Sequence, residues 1–151
     1  MEAYMIKIRN IINIVIIFLF FLGVTDAYTQ NDGTLIVKVH GFRNNKGKAL
    51  VGLYDSPNGF PIKFKKAMRY TIEEIKNKSV IVIFKTIPKG SYTVCVVHDE
   101  DGQGDVDRYW YGRPKEGSGV SNNPKKMPKF KDALFSFSEG LKEITINIQY
   151  P

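Results

Sequence analysis

At 151 residues the chain is sized for one domain, and 22 Lys and Arg against 15 Asp and Glu leave a formal net charge of +7. Its lysines are scattered, with clusters at Lys63, Lys65 and Lys66 and at Lys125, Lys126, Lys129 and Lys131, which reads as a solvated surface able to touch acidic glycans. No nucleic-acid motif accompanies them, so nucleic acid is excluded as the expected partner, and the single cysteine, Cys95, excludes an intramolecular disulfide.

Residues 1–27 read as a signal peptide. Lys7 and Arg9 form a basic start, Ile11 to Leu22 is an apolar run broken only by Asn13, and Thr25 and Ala27 are small residues before the cleavage point. The apolar run falls short of the roughly 20 residues that span a bilayer, so no stable membrane span is expected after cleavage. Residues 28–151 are then one β-domain, exported to the periplasm, the cell surface or the medium.

The rest of the chain reads as strands. Thr34 to His40 alternates, with Leu35, Val37 and Val39 on one face. Asn44-Asn45-Lys46-Gly47 is a turn, and Ala49 to Tyr54 returns as the second arm of a hairpin. Asp55 to Pro61 is a long turn, followed by a helical turn at Ile62 to Lys66 and a strand over Ala67 to Ile75. Ser79 to Phe84 is β-branched and strongly apolar, which suits a strand packed inside the sandwich. Pro88 and Gly90 make a turn into a further strand that ends at His98, with Cys95 a buried, inert thiol in its middle. Ala133 to Ser138 and Glu143 to Gln149 close the chain. The expectation is an all-β, seven-stranded antiparallel sandwich of immunoglobulin-like or prealbumin-like type with one long loop.

That loop, from Asp99 to Asp132, exceeds the roughly 15 residues beyond which an unstructured connector is uncommon. It carries Tyr109, Trp110, Tyr111 and Phe130. These aromatics either fold the loop back on the sandwich or offer a stacking platform to a sugar or peptide.

The loop begins with the acidic run His98-Asp99-Glu100-Asp101-Gly102-Gln103-Gly104-Asp105-Val106-Asp107. Carboxylates this crowded repel one another unless a cation or a ring of donors neutralises them. Aligned on a calcium loop of EF-hand type, Asp99, Asp101, Gln103, Asp105 and Asp107 fall at ligand positions, with Gly104 at the turn. Trp110 stands where the closing glutamate belongs, and the run leaves a strand instead of a helix. A complete EF-hand is therefore excluded. A strand-borne calcium loop remains a candidate, with Glu116 and Asp132 as distant sources of the missing ligand. The competing reading is a glycine-rich turn whose carboxylates cap backbone N–H groups.

No catalytic pair stands out. His98 and Asp99 are neighbours in a strand and point to opposite faces. Ser118 and Ser121 lack a nucleophile elbow. An enzyme is not expected.

The ordered motifs Gly41-Phe42-Arg43-Asn44-Asn45-Lys46-Gly47, Leu53-Tyr54-Asp55-Ser56-Pro57-Asn58-Gly59-Phe60-Pro61, Ile87-Pro88-Lys89-Gly90-Ser91-Tyr92, His98-Asp99-Glu100-Asp101-Gly102-Gln103-Gly104 and Gly112-Arg113-Pro114-Lys115-Glu116-Gly117 resemble the bacterial domain-of-unknown-function family 2141. The likeness implies an exported single-domain protein and carries no activity. Asp101 and Gln103 replace two asparagines of the family's run, and Asp105 adds a charge. The expected function is a binding or structural module with a calcium-stabilised loop, its partner a cell-envelope glycan or protein. The alternative is a carbohydrate-binding module that uses Tyr109, Trp110 and Tyr111. A hydrolase with an unrecognised site ranks third.

Overall fold

The structure is a computed structural model that describes residues 32–104, 115–125 and 128–151. The described chain is all-β, with two sheets and eight strands. The first sheet has β1 (Gly33–His40) at its centre, flanked by β4 (Ser79–Ile87) and β8 (Gly140–Asn147). The second runs β3 (Arg69–Glu74), β2 (Lys48–Tyr54), β5 (Gly90–Asp99), β6 (Ser118–Val120), and β7 (Phe135–Phe137) also pairs with β5. The two short strands share one edge of the ten-residue β5: β6 takes Cys95 to Val97, and β7 takes Gly90 to Tyr92.

Four sequence expectations are corrected. The apolar run from Ser79 to Phe84 is not enclosed within the sandwich: β4 is an edge strand whose Ile81 and Ile83 face outward, 61 % and 54 % exposed. There are eight described strands, not seven, because Ser118-Gly119-Val120 completes the free edge of β5. Those three residues have no strand pattern of their own, and only the waiting edge makes them a strand. The sandwich is not purely antiparallel, since β1 runs parallel to β8 from Gly33↔Gly140 to His40↔Asn147. Ala133 does not open a strand. It closes a short helix, α1 (Phe130–Ala133), in which Asp132 accepts from the Lys129 N–H at 3.0 Å. The turn expected before β3 is a 3-10 helix at Phe64–Lys66.

The main core lies between the sheets. Leu35, Val37 and Val39 of β1 and Val82 and Phe84 of β4 meet Ala49, Val51 and Leu53 of β2 and Val94 and Val96 of β5. Each Val, Leu or Phe side chain among them contributes about 1.5–3 kcal/mol relative to exposure. A second core covers the outer face of the second sheet, where Leu50, Tyr54, Cys95 and Val97 lie under Phe60, Ile62, Phe64 and Phe130. This explains why β2 and β5 are apolar without alternation: both their faces are buried. Cys95 is 1 % exposed, and burial pushes its thiol up to about 12, so it packs as a small apolar residue.

Thr93 sits in this second core with its hydroxyl buried and, among the described residues, without a partner. A desolvated hydroxyl costs free energy that an isosteric methyl does not. Thr93→Val is therefore expected to raise stability by about 1 kcal/mol, read as a higher midpoint in chemical denaturation; a lower midpoint would show that the hydroxyl is satisfied.

The two long seams of the sandwich differ. Along one, Ser118 and Gln149 exchange both backbone hydrogen bonds at 2.8 Å, and the Asn123 side chain bonds Asn147 N–H at 2.8 Å and Thr145 C=O at 2.9 Å. Along the other, β3 and β4 leave a shared turn and separate into different sheets. No helix among the described residues is long and apolar enough to cross a membrane.

Candidate functional site

The alternation of β5 splits its last two residues. His98 points inward and Asp99 outward, and both are fully buried, at 0 % and 1 % exposure. The β2–β5 register sets Lys48 opposite Asp99, which swings the preceding turn, residues 41–47, against the acidic run.

His98 is held on all sides. Its ring meets Phe42 edge to face at 5.1 Å. Nε2 lies 2.8 Å from the Lys46 carbonyl and Nδ1 lies 2.6 Å from the Tyr150 hydroxyl. A carbonyl only accepts, so the neutral ring carries its proton on Nε2 and accepts the Tyr150 O–H at Nδ1. That hydroxyl in turn accepts the Arg43 backbone N–H at 2.9 Å. The C-terminal segment is thus tied to the turn and to the end of β5 through one phenol, whose titration burial pushes upward.

Glu100 makes the next layer. Arg43 donates to both its carboxylate oxygens, with Nε–Oε1 at 2.6 Å, and Asn44 adds a bond at 2.9 Å. The guanidinium also lies over the Tyr150 ring, 4.8 Å from its centroid. The Arg43 hydrogen bonds, with lesser help from Asn44, hold the Glu100 carboxyl down at about 2. A depressed carboxylate adds stability that is present above its unfolded value and lost as pH falls through the folded one. The melting difference between the natural chain and Glu100→Gln is therefore expected to hold at neutral pH and to close between about pH 4.5 and pH 2. A pH-independent difference would place the effect of Glu100 elsewhere than in its charge.

Asp99 closes the loop. Its Oδ1 accepts the N–H of Gly102 at 2.9 Å and of Gln103 at 3.1 Å, and its Oδ2 accepts the N–H of Gly104 at 2.8 Å. Gly102 and Gly104 take positive φ, 74° and 76°, which lets successive amides turn toward one carboxylate. Asp101 Oδ1 shares the Gln103 N–H at 3.1 Å. From across the loop comes Glu116, 8 % exposed, whose Oε1 accepts the Glu100 N–H at 3.3 Å. Asp99, Asp101 and Glu116 each place a carboxylate oxygen within 4.8 Å of the others.

Of the residues that the sequence marks as metal ligands, the structure therefore joins Asp99 and Asp101. Gln103 enters through its backbone N–H. Glu116 comes to the cluster, whereas Asp132 caps α1. Asp105 and Asp107 lie outside the described residues, as do Tyr109, Trp110 and Tyr111 and the signal segment 1–27. Arg43, Asn44 and Tyr150 carry no signal in their local sequence. Only an acidic run in a basic protein hints that some cation of the chain must answer it.

Residues 37–145 match a family model described as an uncharacterized protein conserved in bacteria, DUF2141. The chain belongs to this family. No curated protein and no solved structure matches it. The DUF2141 match runs from the second half of β1 through most of β8 and includes every described residue of the acidic cluster, but not Tyr150.

Proposed function

We propose that this DUF2141 protein is an exported, non-enzymatic binding or structural module, immunoglobulin-like or prealbumin-like in its sandwich, whose loop end is fixed by calcium. The observation that carries the calcium reading is the convergence of Asp99, Asp101 and Glu116, with ligand oxygens within 4.8 Å of one another. Three ionised carboxylates this close repel strongly. Backbone amides offset part of that charge at Asp99 and at Glu116, and a hard divalent cation with oxygen ligands would add to that neutralisation. The donor set fits calcium, since it is all oxygen, it is carboxylate-rich and it sits on a glycine-containing loop. What the ion would supply there is charge neutralisation and a fixed loop path.

The non-enzymatic reading rests on His98. The histidine is wholly buried and both its ring nitrogens are engaged, so it has no face to offer a substrate. Its neighbour Glu100 is committed to Arg43. The pair joins the turn to β5. Support for export comes from the basic and apolar pattern of residues 1–27.

The test is thermal melting in millimolar calcium against chelator. Saturation at about 100 times Kd adds about 2.7 kcal/mol, a rise of several degrees. Asp101→Asn, at an exposed position, is expected to remove the calcium dependence and, by relieving the carboxylate repulsion, to melt in chelator no lower than the natural chain. Identical melting of the natural chain with and without calcium overturns the reading.

A further inference from the structure

The open seam exposes a free edge of β4. At one end of β4, Ser79 exchanges hydrogen bonds with Lys76 across the turn, at 3.0 and 3.1 Å. At the other end, the Arg69 guanidinium takes the carbonyls of Lys85 and Thr86, the latter at 2.9 Å. Residues two apart in a strand present their main-chain groups to the same edge. Between these two anchors, Ile81 and Ile83 therefore turn N–H and C=O away from β1, with no strand beside them among the described residues. Their side chains are 61 % and 54 % exposed, and half-buried Ile36 stands next to Ile83 in the sheet.

The facing edge, β3, is guarded. Thr71 and Glu73 lie opposite Val51 and Ala49, so they point toward the inner core, hydrogen-bonded to each other at 2.6 Å. An inward charge on an edge strand discourages pairing. The stretch from Val80 to Phe84 has neither charge nor proline. A groove of about 490 Å³ between the two edges, lined by Met68, Tyr70, Thr71, Ile81 and Ile83, leaves room for another strand.

We infer that this strand is β4 of a second copy of the chain, paired antiparallel about a two-fold axis at Val82. The free window, bounded by Ser79 and Lys85, is symmetric about that residue. In this register Ile81 of each copy faces Ile83 of the other, so the exposed main-chain groups satisfy one another in four hydrogen bonds. The isoleucines merge into one apolar stripe. Lys85 then faces Ser79 and Lys78 faces Thr86, so no lysine meets a lysine. The product is a continuous six-stranded sheet.

Sedimentation equilibrium of the chain from micromolar to millimolar concentration tests it. A concentration-dependent dimer is expected. Ile81→Lys with Ile83→Lys sets like charges against each other and raises the dissociation constant by about 100-fold or more. Ile81→Lys with Ile83→Glu sets opposite charges together in this register alone and retains the dimer. Ile83→Pro removes an N–H that the chain's own sheet does not use, so it abolishes the dimer and leaves the circular dichroism of the monomer intact. A monomer at every concentration overturns the inference, even one that captures an extended peptide. So does a dimer that survives the double lysine change, or one lost equally in the Lys/Glu variant.

Discussion

Gly47→Ala is expected to cost the protein about 2–5 kcal/mol, the largest effect of any single methyl at this end of the fold. Gly47 has φ 67°, a conformation that costs an alanine about 1–2 kcal/mol. A Cβ there would lie 1.9 Å from the Asp99 carbonyl oxygen and 2.6 Å from the Glu100 Cα. Both are backbone atoms of a strand end that is hydrogen-bonded on either side, so the clash has no cheap relief, and overpacking of this kind adds about 1–3 kcal/mol. Gly102 and Gly104 separate the two causes. Each has positive φ, yet nothing lies within 4 Å of its added Cβ. Alanine at either should cost only the conformational part. Gly47→Asn, which eases the φ penalty but keeps the Cβ, should stay close to Gly47→Ala. Denaturation midpoints of the four variants decide the matter. Equal losses at Gly47 and Gly104 would mean that the turn and β5 are not in contact.

Asp99→Ala comes next, with an expected loss of about 2–3 kcal/mol. The carboxylate accepts three backbone N–H groups, and bonds to an ionised acceptor contribute roughly twice what neutral ones do. The amides of residues 102–104 sit near the surface, so water takes part of the load, and the loss stays below three full bonds. Asp99→Asn should fall between, since its carbonyl oxygen keeps Gly102 and Gln103 but its amide nitrogen opposes the Gly104 N–H. Amide hydrogen exchange gives the sharper readout: protection at Gly102, Gln103 and Gly104 should vanish in Asp99→Ala while that of β2 persists. Unchanged protection at those three amides would remove Asp99 from its role as the loop's anchor. Asp101→Asn is the companion measurement, because it tests the cation without disturbing the cap.

The strands were largely legible in the sequence because their causes are local. Alternation in Leu35, Val37 and Val39, the β-branched run from Ser79 and the Pro88–Gly90 turn all act over a few residues. Where the reading failed, the cause was distant. Ser118 to Val120 became a strand because β5 had an edge to fill. Phe130 packs on the second sheet, one of the two roles that the loop aromatics suggested, but nothing local marked Phe60 and Phe64 as the cover of the same face.

The site divides in the same way. By itself the sequence determined that His98 and Asp99 would face opposite sides, since side chains alternate along any strand, and that the glycines after Asp99 would let backbone amides turn to a carboxylate. Tertiary structure decided the rest. The β2–β5 register carried Arg43 to Glu100, the extended segment after β8, bridged to Ser118 at Gln149, carried Tyr150 to His98, and the hydrogen bond from His98 N–H to Gly117 C=O drew Glu116 to Asp99 and Asp101. Contacts between groups so far apart in the chain follow from which edges pair and in what register. Local sequence preference reaches only the next turn, so it could not specify them.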